Sequence, residues 1–555
     1  MDFKRMLWAM ILSLAIMMTW QHFFPTPQPN RPTKSPIATT HPIAALSETS
    51  PITVQTDTVQ AVIDEKSGDL RGLTLLKYDA TEDKTKNFVL FDDKPQHTYI
   101  AQSQLIDANG NNLLKNVTFT AAQKSYMLNG DKVEVHLTAP MQNGLQISKI
   151  YTFTQGSYLV NVRFDVQNQG AATKLGSNYA IVRDNHTPEG QGFFMHSYTG
   201  PVVYTPDADE FQKVTFSDLD DDFKTGKDTA EYQRKATGGY AGMIQHYFAA
   251  TWLAQTHDTG SNICGTGCNI NIKKQSDTLY SVVLNTPMKD VAAGSTQSFS
   301  ANLYAGPQTT SILNKVAPKL DLLKDYGRVH IFAAPLFWLL NKLHNFIGNW
   351  GWAIIFLTLI VKAVLFPLNQ KAYKSMAKMR TVAPKMEALK KQYANDQMGM
   401  QQAMIKLYKD EQINPLGGCL PMLIQMPIFI GLYWMIFLSV ELRQAPWLGW
   451  ITDLSRADPF YILPILMAAT MWFQTKLSPP PSDPMQAQMM KIMPLMFSIM
   501  FFFFPAGLVL YYVVNNLLTI AQQWYINRSL NLATANGVVL DKEPSKTELK
   551  KNKKK

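Results

Sequence analysis

The sequence predicts a polytopic α-helical membrane protein that carries a large all-β extracytoplasmic domain. Three observations predict it. Apolar stretches of membrane-spanning character occupy the N-terminus and residues 350–527. Residues 51–325 switch to strict two-residue alternation. Basic residues crowd into the loops on one expected side of the membrane, as in Lys371–Lys409.

Residues 1–24 open with Lys4 and Arg5 and run apolar from Met6 to Trp20. No small-x-small cleavage site follows, so the segment is expected to stay as a signal-anchor helix with its N-terminus cytoplasmic. Residues 25–50 are rich in Pro, Thr and Ser, which predicts an extended linker.

In 51–325, Tyr158, Val160, Val162, Phe164 and Val166 alternate with polar partners, and so do Val133, Val135 and Leu137. Such alternation places one strand face in a core and the other in water. The acidic run Asp218–Asp222 lacks the glycine and distant glutamate of a calcium loop and is expected to be a solvated loop. Cys264 and Cys268 form either a local disulfide or two free thiols, and no metal site or cofactor is expected. Cys419 is expected to be a packed thiol.

Residues 330–348 place Leu336, Leu339, Leu340, Leu343, Phe346 and Ile347 on one helical face, which predicts an amphipathic interfacial helix or one packed on the β-domain. Five spans are expected at 350–368, 416–438, 460–476, 489–504 and 507–526, six with the N-terminal anchor. The third and fourth of the five are short. Residues 439–459 then face outward, with Trp447 and Trp450 as interfacial residues. Residues 370–412 are expected to form a cytoplasmic helical hairpin. Met379, Met386 and Met404 lie on its apolar stripe and Lys385 on its basic face. The tail 528–555 is basic and cytoplasmic, and the net charge of the 555-residue chain is +10.

Lys362 is the anomaly in this pattern. It sits inside the apolar run that begins at Trp352, where a cation costs a few kcal/mol or more. Its stem either snorkels to the cytoplasmic headgroups or faces a wet concavity. Thr358, Gln425, Asn515, Asn516 and other polar residues in the spans supply material for such a concavity.

Four segments carry a resemblance. They are Asn414–Phe429 (NPLGGCLPMLIQMPIF), Ser439–Pro446 (SVELRQAP), Asp458–Pro464 (DPFYILP) and Pro505–Tyr512 (PAGLVLYY). With them the chain resembles the YidC/Oxa1/Alb3 family of membrane protein insertases. A weaker patch, Gly239–Phe248, extends the likeness into the β-domain. The resemblance implies a five-helix insertase core with a hydrophilic groove and a β-supersandwich outside it. It implies that Lys362 stands where the family carries an arginine, keeping the charge but losing the planar fork. It implies client contact at Thr358 and Tyr512. It also implies nascent membrane proteins, the Sec translocon, the ribosome, the signal recognition particle pathway and the lipid bilayer as partners, with no DNA, at the bacterial inner membrane with both termini cytoplasmic and the β-domain periplasmic. No catalytic residue is expected. A secondary transporter would want an acidic partner for Lys362 within the spans, and none is present there. An envelope glycan-acting β-domain protein would want paired carboxylates; His136, His186, His196 and His246 are scattered instead.

Overall fold

The computed structural model describes residues 51–535 except 82, 95–96, 116, 189–196, 258–261, 266, 394–395, 412–419, 478–487, 489–491, 493–495 and 497. The N-terminal anchor, the Pro-rich linker, His196, Cys419, residues 536–555 and part of the 489–504 span lie outside the described residues. The chain divides into two compact units, one ending at Asp325 and the other beginning at Tyr326.

The first unit is built on two antiparallel-dominated sheets, of 11 and 9 strands among the described residues. In the smaller sheet, Leu159–Asn168 pairs with both Leu145–Thr154 and Thr296–Pro307. Val160, Val162, Phe164 and Val166 are buried on one face, as their alternation predicts. Each such side chain contributes roughly 1.5–3 kcal/mol on full burial. In the larger sheet, Thr173–Asp184 pairs with His97–Asp107 and Leu279–Asn285. The inner faces of both sheets feed one hydrophobic core that includes Phe164, Tyr179 and Trp252. Gly239 lies at φ +89°, and a Cβ there would stand 2.0 Å from the Tyr204 carbonyl oxygen, so only glycine fits.

That core also holds charges that alternation gave no reason to expect. Lys149 is wholly buried, 3.5 Å from Asp69, and its ammonium donates to the Ser103 carbonyl at 3.1 Å. Burial pulls its pKa down to about 8, against the attraction of Asp69. Arg71 lies nearby between Asp93, at 2.5 Å, and Asp64, at 3.7 Å.

Two sequence expectations need correction or completion here. The acidic run Asp218–Asp222 is not a loop but part of helix α1 (Phe216–Thr225). The Thr215 hydroxyl caps it by accepting from the Asp218 N–H, and the Asp218 carboxylate accepts from the Thr215 N–H, a capping box that opens the run. Asp220 accepts from the Lys274 ammonium at 2.7 Å and the Tyr280 hydroxyl at 2.6 Å. Cys264 and Cys268 are joined in a disulfide, which decides between the two readings left open. A second short helix, α2 (Thr310–Val316), closes the unit.

The second unit is helical: α3 (His330–Ile347), α4 (Trp350–Gln392), α5 (Gln397–Asp410), α6 (Leu420–Leu438), α7 (Ile462–Leu477) and α8 (Ala506–Ala535). Helix α3 forms where expected. Ala333, Phe337 and Leu340 are buried, and α3 packs against α4 and α6. Phe346, placed by sequence on the apolar face, is 91% exposed. The helix is apolar on two faces. The small Ala333 permits the close approach, aided by Gly431 of α6, whose Cβ would meet Phe332 at 2.8 Å.

Helix α4 is one continuous element of 43 residues, so the first arm of the hairpin is a direct extension of the span. Its segment Trp350–Gln370 is long and apolar enough to cross a membrane. Helix α7 has 16 residues, about 24 Å of rise and short of a ~30 Å hydrocarbon core.

Candidate functional site

The loop between α6 and α7 fixes the N-terminal ends of both α4 and α8. Asn349 caps α4 by accepting from the Trp352 N–H at 3.1 Å, and its own amide donates to the Pro446 carbonyl at 3.1 Å. Gly351 abuts Trp447: a Cβ at this position would lie 2.2 Å from the indole. The Ala506 and Gly507 N–H groups at the start of α8 donate to Arg456 and Leu454 carbonyls at 2.7 and 2.9 Å. The loop itself is braced by Asp458. Its carboxylate is 1% exposed and accepts from the Trp450 indole at 3.0 Å, the Phe460 N–H at 3.0 Å and the Leu463 N–H at 2.8 Å. Trp450 and Trp447 are thus structural members of the loop, beyond the interfacial role their residue type suggested.

Helices α4 and α8 start from this same loop and pack side by side, so they run parallel. Gly507 lies against Ile354. Equal steps along both helices therefore reach equal depth. Lys362 stands eight residues beyond Ile354 and Asn515 eight beyond Gly507, each about 12 Å further in. Asn369 and Gln522 are level by the same reasoning, about 22 Å in.

On α4, Thr358, Lys362 and Asn369 fall within about 40° of one another around the axis. Thr358 is 1% exposed and donates to the Ile354 carbonyl at 2.7 Å. Lys362 is half-buried at the edge of the packed face. Among the described residues, no carboxylate pairs with it. The face opposite, with Trp352, Phe356, Ile360 and Val364, is exposed and apolar, suited to lipid.

On α8, Asn515, Asn516, Thr519, Gln522 and Gln523 form a buried polar stripe. The Asn516 amide donates to the Thr470 hydroxyl of α7 at 3.4 Å, and Thr519 donates to the Asn515 carbonyl at 2.7 Å. Gln522 Nε2 and Gln523 Oε1 are buried without a hydrogen-bond partner. Such atoms cost about 1–3 kcal/mol each when left dry, so the stripe calls for water or a passing polar chain. Toward the loop, Gln425 of α6 donates to the Tyr511 hydroxyl at 2.7 Å. Tyr512 stands between the Phe429 and Phe501 rings, each 5.1 Å away.

The structure thus gathers most of the sequence-chosen residues. Thr358 and Lys362 share one strip of α4, level with Tyr511 and Asn515, while Asn516 reaches α7. Gln425 engages Tyr511, the neighbour of the tyrosine that sequence singled out. Sequence reasoning missed Asn369 and Gln523. Both were findable: Asn369 is seven residues past Lys362 on the same strip, and Gln523 extends the Asn516–Thr519 spacing.

The hairpin forms between the end of α4 and α5. Its contact uses Val382 and Met386 against Leu407 and Tyr408, and Lys385 pairs with Glu411 at 2.5 Å. Met404 is half-buried; the side chain of Met379 lies outside the described residues. Among the histidines, His97 was overlooked. Its Nδ1 lies 3.1 Å from the Asp184 carboxylate and its ring 5.0 Å from that of His186. Among the described residues no His, Cys, Asp or Glu group has the arrangement of a metal site.

Residues 342–533 match the family described as 60Kd inner membrane protein, and residues 51–339 match the YidC periplasmic domain. A membrane protein insertase YidC of Neisseria meningitidis serogroup C is 62% identical over 97% of this chain and 100% of its own length. The one from Laribacter hongkongensis is 45% identical over 96% of this chain and 98% of its own. A crystal structure of an active YidC insertase aligns over 93% of this chain and 98% of its own, at 18% identity and a TM-score of 0.39.

Proposed function

Because this chain belongs to the YidC family of membrane protein insertases, we propose that it moves the hydrophilic part of a client along the polar strip between α4 and α8. It is an inner-membrane protein that handles nascent membrane proteins in the lipid bilayer, and its periplasmic domain is mostly β-sheet. The observation that carries the groove reading is the alignment of Thr358, Lys362 and Asn369 with the buried stripe Asn515–Gln523, which holds two polar atoms lacking partners.

The proposed mechanism is physical. A client's short polar tail takes its hydrogen bonds from the strip while it is away from bulk water. Lys362, unpaired with any described carboxylate, attracts acidic tails from the strip's edge. The client's apolar helix then slides against the exposed Phe356–Val364 face into lipid, driven by burial. Short spans such as α7 thin the bilayer locally and lower the remaining barrier. The loop braced by Asp458 closes the far end of the strip.

The finer architecture belongs to the same proposal. It comprises six transmembrane helices with a five-helix core at 350–527, a signal anchor at 1–24, a linker at 25–50, a β-supersandwich at 51–325, an interfacial helix at 330–348, and a hairpin at 370–412 and a tail at 528–555 that are both cytoplasmic. The basic loop Lys371–Lys409 supports that orientation. Its charge and the Lys-rich tail suit the ribosome and signal recognition particle, with the Sec translocon as a co-worker.

Insertion of a small client by the reconstituted protein tests the reading. Lys362→Arg should keep activity, while Lys362→Ala and Lys362→Glu should lower it most for clients with acidic tails. Photocrosslinkers at Lys362 and Tyr512 should capture ribosome-held chains. Equal insertion of every client by Lys362→Glu would remove Lys362 from the mechanism; crosslinks confined to the lipid-facing Val364 would remove the strip.

A further inference from the structure

We propose that the outward face of the larger β-sheet carries a binding site for a neutral polyhydroxylated ligand of the size of one or two sugar units. The inference is independent of the insertion pathway. It begins with a cavity of about 300 Å³ lined by Gln102, Gln104, Asn178, Asn271, Asn285 and Lys273, over a floor of Ala180 and Val283. That volume sits at the lower end of the range for small-ligand pockets.

Strand register explains how these residues meet. Gln104 lies opposite Asn178, and Asn178 opposite Asn285. Two residues along, Gln102 lies opposite Ala180, Ala180 opposite Val283 and Val283 opposite Asn271. The two rows share a face, because the residues between them, Ser103, Tyr179, Leu284 and Ile270, point into the core. The amides therefore form a lattice spaced about 4.8 Å across strands and about 6.8 Å along them. The small Ala180 and Val283 make the lattice concave and offer the ligand's C–H face a patch of apolar surface.

The chemistry of the lining selects the ligand class. A primary amide both donates and accepts, as a hydroxyl does. The lining has one cation and no carboxylate, so it offers little to a charged ligand. An apolar ligand would strand the amides of the lining. An extended polypeptide would find no sheet edge to join at the strands of Gln104, Asn178 and Asn285, which are paired on both sides, and no apolar pockets for its side chains. Asn178 Oδ1 is buried without a hydrogen-bond partner, so turning its amide toward a ligand hydroxyl breaks no bond at that oxygen. Two other amides are already oriented: Gln102 donates to Asp69 at 3.1 Å and Asn285 to the Asn269 carbonyl at 3.0 Å. Fixed groups of this kind lose little freedom on binding.

The test uses the full chain in lipid nanodiscs, free of sugar-based detergent, with glucose, N-acetylglucosamine and maltose as probes. Saturation-transfer NMR should show saturable binding of at least one, with a Kd of about a millimolar. Asn178→Leu and Asn271→Leu should each weaken it about tenfold or more, with circular dichroism confirming the fold. If either variant fails to fold, Gln104→Leu takes its place. No saturable binding by any probe, or equal binding in wild type and folded variants, overturns the proposal. Saturable binding of tetraglycine in place of all three sugars also overturns it and assigns the face to polypeptide.

Discussion

Asp458 offers the sharpest perturbation of the helical unit. Its carboxylate, 1% exposed, serves three donors: the Trp450 indole, the Phe460 N–H and the Leu463 N–H in the first turn of α7. Asp458→Ala leaves the buried Leu463 N–H and the part-buried Trp450 and Phe460 donors without their acceptor. At about 1–3 kcal/mol for a buried orphan and less for the two that water can reach, the loss should be about 2–5 kcal/mol. Loss of a negative charge beside the N-terminus of α7 adds a few tenths more. Asp458→Asn behaves differently. Its remaining oxygen can serve Trp450 and Phe460 from the Oδ1 position, while its amide nitrogen faces the Leu463 N–H, donor against donor. That variant should lose about 1–3 kcal/mol. Thermal unfolding of the protein in detergent, followed by tryptophan fluorescence, should place the midpoints in the order wild type, Asn, Ala. A midpoint for Asp458→Ala equal to wild type would refute the reasoning. An Asn variant weaker than the Ala variant would also refute it, since the loop would then not depend on acceptor count.

Other outcomes follow from the same structure. Burial disfavours the charged form of Lys149 and brings its pKa in the folded protein down to about 8 from the ordinary lysine value of 10.5. Between those values the unfolded chain holds a proton that the folded chain has released, so stability should rise with pH through that window. The rise, about 2 kcal/mol from pH 8 to pH 10, should be missing in Lys149→Met when chemical denaturation is followed at both pH values. Gly351→Ala sets a Cβ 2.2 Å from Trp447 and should cost about 1–3 kcal/mol; adding Trp447→Ala should recover part of that loss in the same melting assay. Gln522→Leu removes a buried amide nitrogen with no partner, so thermal stability should hold or rise by about 1 kcal/mol while insertion of a client falls. A fall in both would make Gln522 a packing residue.

Much of the β-unit was legible because alternation is local. Val160, Val162, Phe164 and Val166 declare their buried face through a two-residue period that no distant contact needs to supply. The ionic cluster of Lys149, Asp69, Arg71 and Asp93 was not legible, since its members come from separate strands and meet only when the sheets close. The Asp218–Asp222 run was misread because charge was weighed above the Thr215 capping box, which is itself a local signal. Helix α3 was legible as a helix, while its contacts with the other helices were not. Close packing, and not hydrophobicity alone, decides that Ala333, Phe337 and Leu340 are buried.

The sequence by itself determined the division into apolar helices and an alternating β-unit, the cation at Lys362 within an apolar run, and the family segments around Asn414, Asp458 and Pro505. These depend on composition, period and short motifs, which the chain carries before it folds. Only the tertiary structure decided that α4 and α8 run parallel from a common loop. Their parallel course sets Lys362 level with Asn515 and Asn369 level with Gln522. Depth and facing are relations between helices distant in sequence, fixed by contacts such as Gly507 against Ile354 and Gly351 against Trp447. A lysine in an apolar run states the cost, and the packed bundle supplies the polar strip beside it.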